Sequence, residues 1–155
     1  MTGDEAGKAF KYDAWNRLVE VRATPGGTVV AAYKYDGLGR RASDTKSGTT
    51  TDLYYSDRWQ VLEERVGGVL RAQYTWSPVY VDAMIMRDRD TNADGTLDER
   101  LWVQQDANFN VTALVDGSGA VVERYAYDAF GVVSVLDASF AARWSSSYGW
   151  VYTFQ

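Results

Sequence analysis

The 155-residue chain contains no cysteine and no histidine. Without cysteine there is no disulfide framework, no thiolate nucleophile and no Cys-type zinc site. Without histidine there is no Ser-His-Asp triad, no His metal cluster, and the commonest general base is missing. Proline occurs only twice. No apolar run approaches the ~20 residues that cross a bilayer, so no membrane span is expected. The polar start from Met1 to Lys8 lacks the apolar centre of a secretion signal. Sixteen basic against twenty-one acidic residues leave a net charge of −5, and the basic residues are scattered, with only Arg40 and Arg41 adjacent. Binding to nucleic acid needs a clustered basic face that displaces counterions from phosphates, so no nucleic-acid partner is expected.

What is abundant is aromatic: 6 Trp, 11 Tyr and 5 Phe. These rings recur in a frame. Phe10-Lys-Tyr12-Asp13-Ala-Trp-Asn16-Arg17-Leu18 aligns with Tyr33-Lys-Tyr35-Asp36-Gly-Leu-Gly39-Arg40 and with Tyr125-Ala-Tyr127-Asp128-Ala-Phe-Gly131. Weaker copies run through Tyr55, Trp76 and Gln104, so the second position of the frame falls at residues 12, 35, 55, 76, 104 and 127. Internal repeats at a near-constant period signal a repeat architecture.

One copy explains itself physically. Aromatic-x-aromatic places two rings on one face of a strand, because side chains alternate with period two. Asp then opens a turn by accepting backbone amides two residues or so onward. Asn16, Gly39 or Gly131 supplies a position tolerant of positive φ, and the next segment returns as a strand. Pro25-Gly-Gly27, Lys46-Ser-Gly48, Gly67-Gly68 and Asp116-Gly-Ser-Gly119 supply turns at the opposite end. The expected fold is all-β: successive antiparallel β-hairpin repeats in a twisted, curved sheet. Residues 1–155 read as one module of six repeats: 8–31, 32–51, 52–72, 73–100 with a long hairpin insertion, 101–122 and a degenerate 123–155. The stretch from Asp137 to Trp144 reads as a loop.

The long step holds Asp90-Thr-Asn92-Ala-Asp94-Gly95-Thr96-Leu-Asp98. Asp90, Asn92, Asp94, Thr96 through its carbonyl, and Asp98 match the ligand spacing of a calcium loop, which makes calcium the only cofactor the sequence raises. The bidentate acid expected at the twelfth position is Leu101, however. The same residues make a good hairpin tip, since Asp-Gly is a strong turn signal, and this plain turn is the favoured reading. The acidic residues do not suggest a hydrolytic pair: Glu63 and Glu64 adjoin in one strand and so face opposite ways, while Asp13, Asp36 and Asp128 recur with the repeat as turn formers. No catalytic residue is expected. Arg17, Arg40 and Arg58 are placed to stack on the rings or to pair with the turn carboxylates.

These motifs resemble the YD-repeat, or Rhs-repeat, family, whose unit carries Tyr-x-Tyr-Asp-x-x-Gly-Arg-Leu. Tyr33 to Arg40 is a near-complete match, Phe10 to Leu18 and Tyr125 to Gly131 are partial ones, and the likeness covers residues 8 to 155. The resemblance implies a strip of β-sheet that belongs to a hollow shell, as in Rhs toxins, toxin-complex C subunits and teneurins. In the bacterial toxins that shell encloses a C-terminal toxin domain. The Asp-Pro and Gly-Arg-Phe segment that ends the repeat core in family members, and with it any self-cleavage site, does not occur here. The resemblance therefore implies the C-terminal part of a longer array. The partners it implies are the rest of that array and its enclosed domain, at a secreted or cell-surface location. A module that binds carbohydrate or a surface protein, with calcium, is the alternative. Open sheet edges add an expectation of self-association, as a dimer or filament.

Overall fold

The computed structural model describes residues 2–3 and 7–153. Those residues form strands, turns and irregular segments, with no helix among them. Among the described residues, no helix is long and apolar enough to cross a membrane. The chain divides into two compact units, Met1–Arg71 and Ala72–Gln155.

The first unit contains β1 (Thr2–Gly3), β2 (Ala9–Tyr12), β3 (Leu18–Arg22), β4 (Val29–Tyr35), β5 (Arg41–Lys46), β6 (Thr49–Tyr55) and β7 (Val61–Val66). Each strand pairs antiparallel with the next in chain order. The β5–β6 connection is a two-residue turn, Ser47-Gly48, with φ of 50° and 81°. Two positive φ values give the turn a twist that matches the flanking strands. Few side chains in this unit are deeply buried: Ala9, Ala31, Ser43 and Val61.

In the second unit lie β8 (Val69–Trp76, of which Ala72–Trp76 belongs here), β9 (Met84–Arg89), β10 (Glu99–Gln105) and β11 (Val111–Val115). β12 (Val121–Tyr127), β13 (Val133–Asp137) and β14 (Ala142–Arg143) follow. Pairing is again antiparallel between neighbours in sequence. Here there is a core: Tyr74, Met84, Leu101, Val111, Ala113, Leu114, Tyr125 and Trp150 are all buried.

A register shift falls just before the second position of the frame in five hairpins: Lys11/Tyr12, Lys34/Tyr35, Tyr54/Tyr55, Thr75/Trp76 and Gln104/Gln105. Such a bulge bends its strand and re-aims the side chain beside the turn. It also corrects the frame read from sequence. The fifth copy is marked by Gln105, next to Asp106, one residue later than Gln104. A second correction concerns the stretch read as a loop: Val133–Asp137 and Ala142–Arg143 pair as a further hairpin around the turn at Asp137.

Candidate functional site

Seven turns share one hydrogen-bond pattern, opened by Asp13, Asp36, Ser56, Asp106, Asp116, Asp128 and Asp137. In the Asp36 turn, Asp36 N donates to Arg40 O at 2.9 Å and Gly39 N donates to Asp36 O at 3.1 Å. Asp36 Oδ1 accepts the amides of Leu38 and Arg40, both at 2.9 Å. One carboxylate oxygen thus satisfies two amides that the hairpin cannot pair. The fourth residue of the turn adopts positive φ in every copy: Asn16, Gly39, Trp59, Phe109, Gly119, Gly131 and Phe140. The left-handed conformation costs an L-residue roughly 1–2 kcal/mol, and the Asp hydrogen bonds offset that where glycine is absent. Burial alone would raise the pKa of Asp36, but hydrogen bonds from the Arg40 side chain and from the Arg40 and Leu38 amides outweigh it, leaving the carboxyl below its ordinary value. Asp13 is lowered in the same way, against burial, by Arg17 and the Trp15 amide.

The second carboxylate oxygen reaches the next hairpin through arginine. Asp13 Oδ2 accepts Arg17 Nε and Asp36 Oδ2 accepts Arg40 Nε, each at 2.7 Å. Arg17 lies 4.7 Å from the Tyr35 ring centre, and Arg40 lies 5.0 Å from that of Tyr55. Arg40 Nη1 then donates to Ser56 O at 2.9 Å. The tyrosines close the link: Tyr35 OH donates to Leu18 O and Tyr55 OH to Arg41 O, both at 2.8 Å. In each case the acceptor is the residue following the clamped arginine. The Asp-x-x-Gly-Arg motif is therefore a hairpin-to-hairpin clamp, and it sets the register of one repeat on the next.

The second unit repeats this logic with an addition. Tyr127 OH donates to Val111 O at 2.8 Å and also to Thr153 O. Thr153 O further accepts Val111 N at 2.9 Å. Residues 144–153 form a strap across the face of the strands. Trp150 packs under Arg87, at 4.8 Å, and the Tyr152 ring meets Tyr74 edge-on at 5.2 Å. Glu123 is wholly buried beneath the strap. Its carboxylate accepts Tyr125 OH and Ser146 Oγ at 2.5 Å, Ser147 N at 2.8 Å, and Arg143 Nη1 at 3.4 Å. Arg87, also buried, donates to Glu99 Oε1 and Tyr148 O at 2.8 Å. Burial, then the hydrogen bond to Glu123, push the Tyr125 pKa upward. Burial, then the Asp106 charge, raise that of Tyr127 to about 12.

The residues singled out in the sequence take distinct places. Asp13, Asp36 and Asp128 open turns, while Gly39 and Gly131, each with φ of 82°, complete them. Tyr35, Tyr55 and Tyr127 bond back to the preceding hairpin, and Arg40 clamps forward. Tyr33 lies under Arg41 at 4.1 Å. Tyr125 is buried, Trp76 meets Tyr152, and Tyr12 is exposed. The Asp90 loop directs its oxygens at its own donors. Asp90 accepts Ala93 N and Gly95 N, Asn92 Oδ1 accepts Asp94 N, and Asp94 Oδ1 accepts Thr96 N. Asp98 accepts Thr91 N and Oγ1, which hold its carboxyl below the ordinary range. Among the described residues, no three Asp, Glu, His or Cys side chains converge as a metal-holding group. Sequence reasoning missed the strap and Glu123. The alternation of Trp150 and Tyr152 was the available signal.

Residues 12–51 match the family model described as RHS Repeat. Over 131 residues the chain is 28% identical to the tRNA3(Ser)-specific nuclease WapA of Bacillus spizizenii, a match covering 84% of this chain and 5% of that protein. The tRNA nuclease WapA of Bacillus subtilis matches to the same extent. The chain thus spans 5% of the length of these curated relatives. Among solved structures, the TcdB2-TccC3-Cdc42 crystal structure is similar with a TM-score of 0.52 and 20% identity, over 82% of this chain and 7% of that one. A Photorhabdus luminescens Tc holotoxin pore is similar with a TM-score of 0.57 and 13% identity, over 84% and 7%. The structural matches show the fold, and the family match falls on the first two clamps. Residues 12–51, which include the frame from Tyr33 to Arg40, are thus similar to an Rhs repeat.

Proposed function

We propose that this chain is a non-catalytic wall segment of an Rhs-type β-shell that encloses or displays a C-terminal toxin or effector domain of a secreted or cell-surface protein. The observation that carries the reading is the clamp: the residues that define the repeat are spent on fixing one hairpin to the next. The nuclease named in the WapA relatives is, in this reading, the work of other parts of those proteins. Supporting this, the chain has no histidine, and its turn aspartates are engaged with backbone amides. The test is protease protection in the full-length polypeptide encoded with this chain. A C-terminal domain that resists protease, and becomes sensitive when Tyr35, Tyr55 and Tyr127 are all changed to Phe, is the expected result. Cleavage of tRNA by residues 1–155 alone would overturn it.

A second reading, recognition of carbohydrate at a cell surface, is favoured by the rings that the turns and the start of the strap leave exposed. Trp15, Trp59, Phe130, Phe140 and Trp144 are all more than half exposed. Binding on a glycan array that is lost on changing Trp15 and Trp59 to Ala would support it.

A further inference from the structure

The fifth and sixth repeats lack one part of the clamp. Where Arg17 and Arg40 follow their turns, the Asp106 turn ends in Asn110. Asn110 Nδ2 still bonds Asp106 Oδ2, at 2.9 Å, as the arginine Nε atoms do in the first two clamps. Its side chain stops there, so no guanidinium extends over Tyr127, the ring that corresponds to Tyr35 and Tyr55. Where Trp59 flanks Arg40 at 6.0 Å, the matching residue is Gly131. Asp128 in turn occupies the place of Ser56, whose carbonyl receives Arg40 Nη1. What stands in place of the clamp is a pocket of about 300 Å³ lined by Asn110, Tyr127, Asp128, Phe130 and Gly131.

We infer that this pocket is a receptor for an arginine side chain of a second polypeptide, which completes in trans the clamp that the first two repeats complete in cis. The chemistry matches part by part. The Tyr127 face offers the stacking surface, the Asp128 carbonyl is the counterpart of the acceptor used by Arg40, and the Asp128 carboxylate adds negative charge at the rim. Asp128 Oδ1 is used by the Phe130 and Val132 amides, and the residue in the position of Arg17 and Arg40 in its own turn is Val132, which brings no cation to Oδ2. A guanidinium suits this site better than an ammonium, because it is planar, stacks on rings and donates in a fork. Residues 1–6 and 154–155 supply no basic side chain that could occupy it. Nor is it free arginine: no cationic side chain lines the pocket to receive an α-carboxylate, whereas an arginine within a peptide has none to place.

The test is an NMR titration of the chain, following the backbone amides of Phe130, Gly131 and Val132. N-acetyl-arginine amide is the probe, with the citrulline and lysine analogues and free arginine as comparisons. Saturable shifts are expected at millimolar concentrations of the arginine amide, with affinity at least about fivefold above that of the lysine analogue, as a stacked, desolvated guanidinium predicts. The neutral citrulline analogue should cause none. Asn110→Arg should abolish the response by filling the pocket from within. Asp128→Asn, which keeps the turn acceptor but removes the charge, should weaken it and covers the case in which Asn110→Arg does not fold. Absence of saturable shifts, equal shifts with citrulline, or an unchanged response in Asn110→Arg would each overturn the site. Free arginine binding as tightly as the amide would overturn its assignment to a polypeptide.

Discussion

Replacing Glu123 tests whether the strap is held by a buried charge. Its carboxylate meets the Tyr125 and Ser146 hydroxyls, the Ser147 amide and the Arg143 guanidinium. In Glu123→Gln the shape is kept. The amide oxygen can stay on Ser147 N–H, while the NH₂ replaces the oxygen that Tyr125 and Ser146 share. Tyr125 OH must then rotate to accept, Ser146 Oγ, which already accepts the Tyr148 and Trp150 amides, loses its acceptor, and the Ser147 N–H bond becomes a neutral one. Bonds to charged groups contribute about 1.5–3 kcal/mol and neutral ones about 0.5–1.5, so with three bonds affected the change should cost about 2–3 kcal/mol. The Arg143 contact adds little, being long and partly exposed. Glu123→Ala leaves the Ser147 amide and two hydroxyls buried without their acceptor and should cost about 3–5 kcal/mol. Urea unfolding measures both values. Hydrogen exchange at Ser147 and Trp150 shows whether the loss is local to the strap. The reasoning is refuted if Ala costs no more than Gln, or if strap amides exchange at the same rate in both variants as in the parent.

Gly39→Ala should cost about 1 kcal/mol, from the left-handed backbone alone, because nothing lies within 4 Å of a Cβ added there. Gly117→Ala, equally open but without the positive φ, should stay within about 0.5 kcal/mol of the parent, so equal losses in thermal melts would contradict the turn argument. The pKa values of Asp106, Asp116 and Asp137 are lowered chiefly by the side chains of Asn110, Ser118 and Ser139 respectively, and that of Asp36 by Arg40 against its burial. A depressed folded pKa means that the contribution to stability is complete above the unfolded value of 3.8 and is lost as pH falls through the folded values below it. The urea midpoint should therefore hold from pH 7 to about 5 and drop below about 4, and Asp36→Asn should flatten part of the drop; a fall centred between pH 5 and 6 would point to other groups. Calcium should not shift the melting temperature, because the Asp90 loop is closed by its own amides, whereas Asp90→Ala should lower it; an EDTA-reversible rise would support the calcium reading instead.

The turns were legible because their chemistry is local. Asp36-Gly-Leu-Gly39-Arg40 encodes acceptor, left-handed position and clamp within five residues, and the all-β hairpin order follows from repeating it. Copies that broke the pattern were harder. At Ser56 the hydroxyl replaces the carboxylate, accepting Arg58 N and Gln60 N at 3.1 and 3.2 Å. At Phe140 a large ring occupies a left-handed position that sequence reasoning assigns to Gly or Asn, and the hairpin was read as a loop. The strap was hidden for a different reason. Its partners Glu123, Arg87 and Val111 lie 23 to 62 residues away from their contacts, and no periodicity records such pairings.

The contrast between the two units shows what the clamp has to accomplish. Among the described residues of the first, deep burial is limited to Ala9, Ala31, Ser43 and Val61, too little apolar area to fix one arrangement of hairpins. Specificity there must come from contacts between adjacent hairpins, where a tyrosine hydroxyl bond contributes about 1 kcal/mol and a stacked arginine a similar amount. Stability built from nearest-neighbour terms is additive along an array, as in other repeat proteins. It also explains why the sequence can drift. Because the opening Asp or Ser side chain satisfies the turn amides itself, the left-handed position accepts Asn16, Trp59, Phe109 or Phe140, and those side chains are free to take other partners. Phe109 stacks on Tyr80 at 4.2 Å, and Phe140 lies under Arg124 at 4.3 Å. The geometry is therefore more regular than the motif. In a repeated sheet of this kind the informative positions are those where a clamp part is replaced, as at Asn110, because there the loss of an internal contact leaves a surface shaped for another one.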